Sequence, residues 1–228
     1  MESPLKKYVI IVAGGSGARM KSAVPKQFHE LLGKPVLMHT IEAFASEAVQ
    51  AEIILVLNVD YHTLWEELVK KHDFRVPFTL VKGGNTRFSS VKNGLKHVTK
   101  NSLVAVHDAV RPLTGEAIIL EAFRVAQEEG NAVVAVPARD SIRRLAGSRT
   151  EAVTREHYYM VQTPQVFKAS VLLKAYQQEF RNEFTDDASV VERMGETIHL
   201  VEGSYANIKI TFPEVLIVAE ALLRTRNQ

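Results

Sequence analysis

Short apolar runs rich in β-branched residues alternate with longer amphipathic stretches along this chain, and that alternation leaves few folds open. Tyr8–Ala13 is a continuous apolar run, the pattern of a strand buried on both faces. Glu52–Leu57, Phe78–Val81, Leu103–Val106 and Ala132–Val136 repeat it. Between them lie stretches of helical character: Val36–Glu47, Tyr61–His72, Thr86–Val98 and Glu116–Glu128. In the first of these, Leu37, Ile41 and Phe44 recur at spacings of four and three, which places them on one helix face. The alternation predicts an α/β fold built on a doubly wound, mostly parallel sheet. Ligands of such sheets bind outside the carboxyl ends of the strands. The loops after Ala13, Val81, Val106 and Val136 are therefore where function is expected.

From Pro137 to about Arg155 the pattern changes. Ser141–Leu145 and Ala152–Arg155 flank a turn-like Ala146-Gly147-Ser148, which predicts a two-stranded hairpin instead of another strand–helix unit. An isolated hairpin is marginal in water, so this arm, at about residues 137–157, needs something to pack on, and a second copy of the chain is the simplest candidate. Beyond it the sequence predicts a helix around Ala169–Arg181, a short helix after Asp186, a strand at His199–Glu202 and a final helix from Pro213. With no internal repeat and no second compositional regime, residues 1–228 read as a single domain.

Composition removes several functions. There is no cysteine, which excludes disulfides, thiolate metal sites and a cysteine nucleophile. The formal net charge is +2, so nothing global argues for nucleic acid or a membrane surface. No apolar run is long enough for a signal-peptide core or a membrane span, and a cytoplasmic protein is expected.

The loop after the first run is Ala13-Gly14-Gly15-Ser16-Gly17-Ala18-Arg19-Met20. Glycines let backbone N–H groups approach a ligand closely, and successive amides in such a turn can cradle phosphate oxygens. The loop is not a P-loop, because no Gly-Lys-Ser/Thr follows, and Met20 stands where a dinucleotide fingerprint has its third glycine. A tight turn alone would also use these glycines. Two cations extend the pattern, Arg19 in the loop and Lys26 in Val24-Pro25-Lys26-Gln27. Positive charge held where negative charge builds up is what phosphoryl and nucleotidyl transfer require; two solvated surface cations are the plainer reading of the same residues.

Gly-Gly-x-Gly-x-Arg-Met followed by Pro-Lys resembles the signature of sugar-phosphate nucleotidyltransferases, enzymes with a Rossmann-like sheet. Further segments narrow the likeness: Gly83-Gly84-Asn85-Thr86-Arg87, Val106-His107-Asp108-Ala109-Val110-Arg111-Pro112, Thr163-Pro164-Gln165, Thr185-Asp186-Asp187-Ala188-Ser189 and Asn207-Ile208-Lys209-Ile210-Thr211. In this order they resemble the 2-C-methyl-D-erythritol 4-phosphate cytidylyltransferase family of the non-mevalonate isoprenoid pathway, over essentially the whole chain. The resemblance implies transfer of the cytidylyl group of CTP to a phosphorylated polyol, release of pyrophosphate, dependence on Mg²⁺ or another divalent cation, and a homodimer.

Site residues follow from the resemblance position by position. Arg19, Lys26 and Lys209 are expected to be catalytic. Ala13, Gly14, Gly15, Gly17, Gly83, Asn85, Ser90 and Asp108 are expected to bind CTP, with Asp108 also the metal ligand. Asn85 stands where many relatives carry an acidic residue; its amide oxygen still accepts, but the charge is gone. Ser141, Arg155, Thr163 and Thr185 are expected at the polyol phosphate, Arg155 reaching the neighbouring subunit's site. A planar guanidinium grips phosphate bidentately, which suits that role. Asp186 and Asp187 read as carboxylates at a helix start. His107 reads as structural, since the attacking phosphate oxygen is already ionised at neutral pH and needs no base.

Three rival readings are open to the sequence. A ribitol or ribulose 5-phosphate cytidylyltransferase shares the chemistry and changes the acceptor. A non-catalytic nucleotide-binding regulator has no need of Arg19, Lys26, Asp108 and Lys209 together. Nucleic-acid binding by the arginines of the arm (Arg139, Arg143, Arg144, Arg149 and Arg155) lacks interleaved stacking aromatics.

Overall fold

The computed structural model describes residues 5–13 and 24–226, and the glycine loop that carries Gly14, Gly15, Gly17 and Arg19 lies outside them. Apart from a two-residue pair, Glu30–Leu31 with Lys34–Pro35, the described strands are β1 (Lys6–Ala13), β2 (Ala51–Leu57), β3 (Thr79–Lys82), β4 (Ser102–Asp108), β5 (Asn131–Pro137), β6 (Ile142–Ala146), β7 (Arg149–Val153), β8 (Tyr159–Lys168) and β9 (Leu200–Glu202). The helices are α1 (Val36–Glu42), α2 (His62–Lys71), α3 (Arg87–Leu95), α4 (Glu116–Glu129), α5 (Ala169–Ala175), α6 (Asp187–Glu192) and α7 (Pro213–Arg226). Seven strands form one sheet in the order β9-β5-β8-β4-β1-β2-β3.

β1 is the centre of the parallel part. Ile10 pairs in register with Ile54 of β2 on one side and Val106 of β4 on the other. Its side chains alternate between two cores, as strand geometry requires. Val9 and Ile11 pack with Phe44, Trp65 and Phe123 on one face; Tyr8 and Ile10 pack with Phe88, Phe167 and Tyr176 on the other. Burial of both faces explains the unbroken apolar run in the sequence, and each large side chain fully buried contributes about 1.5–3 kcal/mol. A third cluster, with Leu31, Val110, Ile210 and Ala219, seats α7 against the end of the sheet.

Two helices stop early. The stretch expected as helix to Glu47 is helical to Glu42, and the one expected to Arg181 is helical to Ala175. β8 was not anticipated. It runs antiparallel to both neighbours, with a register shift between Val161 and Gln165. Its first three residues are exposed and the next six buried, so it carries neither the alternation nor the continuous apolar run by which strands are recognised.

The hairpin exists as expected. Among the described residues β6 and β7 pair only with each other, as a separate two-stranded sheet. Leu145 near its tip is 73% exposed. The arginines of this region are engaged locally: Arg143 donates to the Thr150 hydroxyl at 2.8 Å, Arg144 pairs with Glu151 at 2.7 Å, and Arg139 lies over the Tyr205 ring at 4.2 Å.

Candidate active site

The carboxyl ends of β1, β2, β3 and β4 open on one cleft of about 780 Å³. Ala13, Lys26, Gly83, Asn85, Asp108 and Lys209 all line it, although they come from five separate stretches of sequence.

Asp108 ends β4, where the apolar strand gives way to a turn. Its backbone N–H donates to the Thr163 hydroxyl at 3.1 Å, and its Oδ2 accepts from Lys209 Nζ at 2.9 Å and Arg111 Nε at 3.2 Å. Burial alone would raise its pKa; Lys209, Arg87 and Arg111 more than offset this and hold the carboxyl well below the usual carboxylate range. The group is therefore a permanent anion, which is what a hard divalent cation prefers. Asp108, the carboxylate at the end of β4, fits an ion that also takes phosphate oxygens and water. Among the described residues no three His, Asp or Glu side chains converge on a metal position.

Lys209 lies in an irregular segment between β9 and α7, not on an edge strand. Ile210 N–H donates to the Val110 carbonyl at 2.9 Å, which stitches this segment to the loop after Asp108. Behind it Asn207 is fully buried. Its side-chain amide donates to Gln162 Oε1 at 3.1 Å and the Thr163 carbonyl at 2.9 Å, its Oδ1 accepts from the Thr114 hydroxyl at 2.9 Å, and its carbonyl accepts from Arg111 Nη1 at 2.7 Å.

Pro25, with φ −60° and ψ 141°, delivers the chain into a single 3-10 turn, Lys26–Phe28, which places Lys26 at the rim of the cleft. On the opposite wall Gly83–Thr86 follows β3. Thr86 caps α3 through a capping box with Ser89. Ser90 is buried beneath this loop; its hydroxyl accepts from Gly84 N–H at 3.0 Å and donates to the Thr86 carbonyl at 2.9 Å. A Cβ on Gly84 would stand 2.6 Å from Ser89 Cβ and 2.9 Å from its carbonyl carbon, so only glycine fits. Asn85 at the tip is exposed.

His107 is fully buried. Its Nε2 is 3.1 Å from the Arg111 carbonyl and its ring meets Phe44 edge-on at 4.8 Å. Burial pulls its pKa down to about 4, so it is a neutral core histidine.

Thr163 is almost wholly buried, with its hydroxyl on Asp108 N–H. Thr185 is exposed just before α6, where Asp186 is the N-cap, accepting from Ser189 N–H at 2.9 Å. Ser141 and Arg155 are exposed at the base of the arm and do not line the cleft; Arg155 donates to the Arg139 carbonyl. Sequence reasoning passed over Arg87, Lys82, Asn58 and Asp60, which also line the cleft. Arg87 follows directly on the glycine loop quoted above. The others carry no local signature, and only the sheet brings them there.

The family model of 2-C-methyl-D-erythritol 4-phosphate cytidylyltransferase matches residues 7–225. The protein of that name from Azobacteroides pseudotrichonymphae is 50% identical over 220 residues, covering 96% of this chain and 99% of that one. Its namesake from Bacteroides thetaiotaomicron is 48% identical over 219 residues, covering 96% and 100%. The crystal structure of 4-diphosphocytidyl-2C-methyl-D-erythritol synthase from Anaerococcus prevotii superposes with a TM-score of 0.81 at 30% identity, over 96% of this chain and 99% of that one.

Proposed function

The chain belongs to the 2-C-methyl-D-erythritol 4-phosphate cytidylyltransferase family, and on that premise we propose how its residues divide the work of joining CTP to the polyol phosphate. It is a cytidylyltransferase of isoprenoid biosynthesis: it gives 4-CDP-2-C-methyl-D-erythritol and pyrophosphate. The observation that supports the assignment of roles is the convergence of Lys26, Asp108 and Lys209 with the Gly83–Asn85 loop on one cleft at the carboxyl ends of the sheet.

The polyol phosphate oxygen attacks the α-phosphorus of CTP in line, and the bond to the pyrophosphate oxygen breaks. The leaving group takes the electron pair, and no covalent enzyme intermediate is needed. Lys26 and Lys209, with Arg19 from the glycine loop, neutralise charge that builds up on the phosphorus oxygens. The amides of Ala13, Gly14, Gly15 and Gly17 cradle the triphosphate. Gly83 and Asn85 face the cytosine, whose exocyclic amine needs an acceptor, and Ser90 acts through Gly84 by fixing the loop. Asp108 would hold Mg²⁺ or a similar cation, which supplies Lewis-acid stabilisation of the phosphate oxygens when bound.

The acceptor side uses Thr163 and Thr185, together with Ser141 and Arg155 from the arm. The domain spans residues 1–228, with the arm at about 137–157, and pairs with a second copy so that the arm completes the neighbour's site. The exposure of Leu145 and of Tyr158–Val161 supports this, since among the described residues that apolar surface has no cover. No helix among the described residues is long and apolar enough to cross a membrane, and a cytoplasmic location with no nucleic-acid partner belongs to the same proposal.

The deciding experiment is pyrophosphate release from purified protein with CTP and Mg²⁺, using methylerythritol phosphate or ribitol 5-phosphate. Turnover with the first alone, abolished by a chelator, is the expected result. Turnover with the second alone would move the enzyme to another acceptor, and release with neither from folded, CTP-binding protein would overturn the catalytic reading.

A further inference from the structure

Arg87 occupies the first helical position of α3, directly after the Thr86 cap, and lines the cleft. Its guanidinium is nevertheless committed elsewhere. Nη2 donates at 2.5 Å to Asp187 Oδ2, and the Asp187 side chain is completely buried. The other oxygen of that carboxylate accepts from the Tyr176 hydroxyl at 2.6 Å, and the Tyr176 ring stacks on Phe88 at 4.6 Å. One residue further along α6, Ala188 N–H donates to Gln165 Oε1 at 2.9 Å, while Gln165 Nε2 donates to Asp186 Oδ2 at 2.8 Å. Gln165 sits on β8 two positions after Thr163, whose hydroxyl fixes Asp108.

A continuous set of polar contacts therefore runs from the Gly83–Asn85 loop through Arg87 and Asp187 to the segment that carries Thr185, and on through Gln165 to the strand behind Asp108. The Asp187 side chain is fully buried and that of Arg87 partly so; such a pair is a poor source of net stability, because desolvation of the carboxylate offsets much of the attraction, and well-packed apolar replacements are often as stable. What the contact does supply is a tie between the two elements that carry it: one charge-assisted N–H···O bond from α3 to a carboxylate of α6 that Tyr176 holds from its other oxygen.

We propose that Arg87, anchored on Asp187, is a positioning residue that holds the nucleotide wall of the cleft in register with the acceptor wall. This deepens the functional reading and rests on its assignment of Gly83–Asn85 to cytidine and Thr185 to the acceptor phosphate. Reactive atoms displaced by about an ångström cost on the order of 10²-fold in rate, so a loosened junction affects both substrates at once.

The experiment compares wild type with Arg87→Lys, Arg87→Met and the double variant Arg87→Met/Asp187→Leu, measuring KM for CTP and for methylerythritol phosphate, kcat and the thermal midpoint. Wild-type turnover checks the functional reading independently. The proposal expects KM to rise at least fivefold for both substrates in Arg87→Met. The double variant leaves no buried charge unpaired but takes the acceptor from the buried Tyr176 hydroxyl, so it should melt above Arg87→Met and below wild type, yet keep the kinetic loss, and the single losses should not add. Arg87→Lys keeps the charge but shortens the reach to Asp187 and loses the planar head, folds as wild type, and should resemble Arg87→Met in its Michaelis constants. Wild-type Michaelis constants in Arg87→Lys or in the double variant would overturn the proposal. So would a loss confined to one substrate, which would make Arg87 a local contact.

Discussion

Lys209 Nζ lies 2.9 Å from Asp108 Oδ2, so a cation proposed to meet phosphate is already held over the anion proposed to meet the metal ion. The pairing keeps Lys209 extended into the cleft before any substrate arrives, which removes the cost of ordering a long side chain. Lys209→Ala should lower kcat by on the order of 10²–10³, with Arg19→Ala and Lys26→Ala losing comparable amounts. Steady-state pyrophosphate release checks this, and a loss under about tenfold in any of the three would take that residue out of the machinery.

Gly84 is hemmed in by Ser89 behind it and held by the Ser90 hydroxyl. Gly84→Ala must push the loop into the cleft, so KM for CTP should rise at least tenfold while KM for the polyol phosphate stays within about twofold. Ser90→Ala removes the hydroxyl that accepts from Gly84 N–H and donates to the Thr86 carbonyl; loss of the bond to Gly84, worth about 1 kcal/mol, should weaken CTP about fivefold. Titration calorimetry with CTP separates the two cases, and equal affinities in wild type and Gly84→Ala would refute the account.

Asn207→Ala leaves the Thr114 hydroxyl, Gln162 Oε1 and the Thr163 carbonyl without their present partner in a buried setting. Each unmet buried group costs about 1–3 kcal/mol, so the variant should lose roughly 3 kcal/mol and melt some 5–10 °C lower. Calorimetric melting tests it, and a shift under about 2 °C would mean that the network contributes little to folding.

His107 supplies a pH signature. Its pKa is about 4 in the fold against an ordinary value of 6.5. Between those values the unfolded chain binds a proton that the folded chain refuses, so stability rises with pH across the window and this group adds no slope above 6.5. Acidifying from pH 6.5 to 4 should cost roughly 3 kcal/mol through this residue. Urea unfolding at several pH values, with His107→Gln as control, measures it; identical slopes in the two proteins would exclude His107 as the cause.

Much of the sheet was legible because its parallel strands are buried on both faces and therefore announce themselves as apolar runs. β8 was not, since half of it is exposed and its buried half, Gln162–Phe167, includes glutamines and a threonine that bond to other parts of the fold. Asp108 and the cations proposed to act with it were picked out by short motifs, and Asp108 is the one that ends a described strand. Arg87 was quoted within such a motif without a role, because its partner Asp187 is a hundred positions away and no local spacing connects them. Helix ends were misjudged where apolar residues continue past the last helical turn, as Phe44 does by entering the core after α1 has stopped.

The reversal of β8 bears on how this chain can diverge. β5 leaves the sheet at Pro137 and β8 re-enters at Tyr159 beside it, with the neck closed by Ala138 N–H to the Tyr158 carbonyl at 2.9 Å. Whatever lies between begins and ends at one point on the ligand edge, so residues can be gained, lost or exchanged there without shifting the register of either strand. On the proposed placing of Ser141 and Arg155 at the acceptor, the arm's share of acceptor choice is written in a passage of the sequence separable from the sheet, and an arm grafted from a relative should bring that share without disturbing its host.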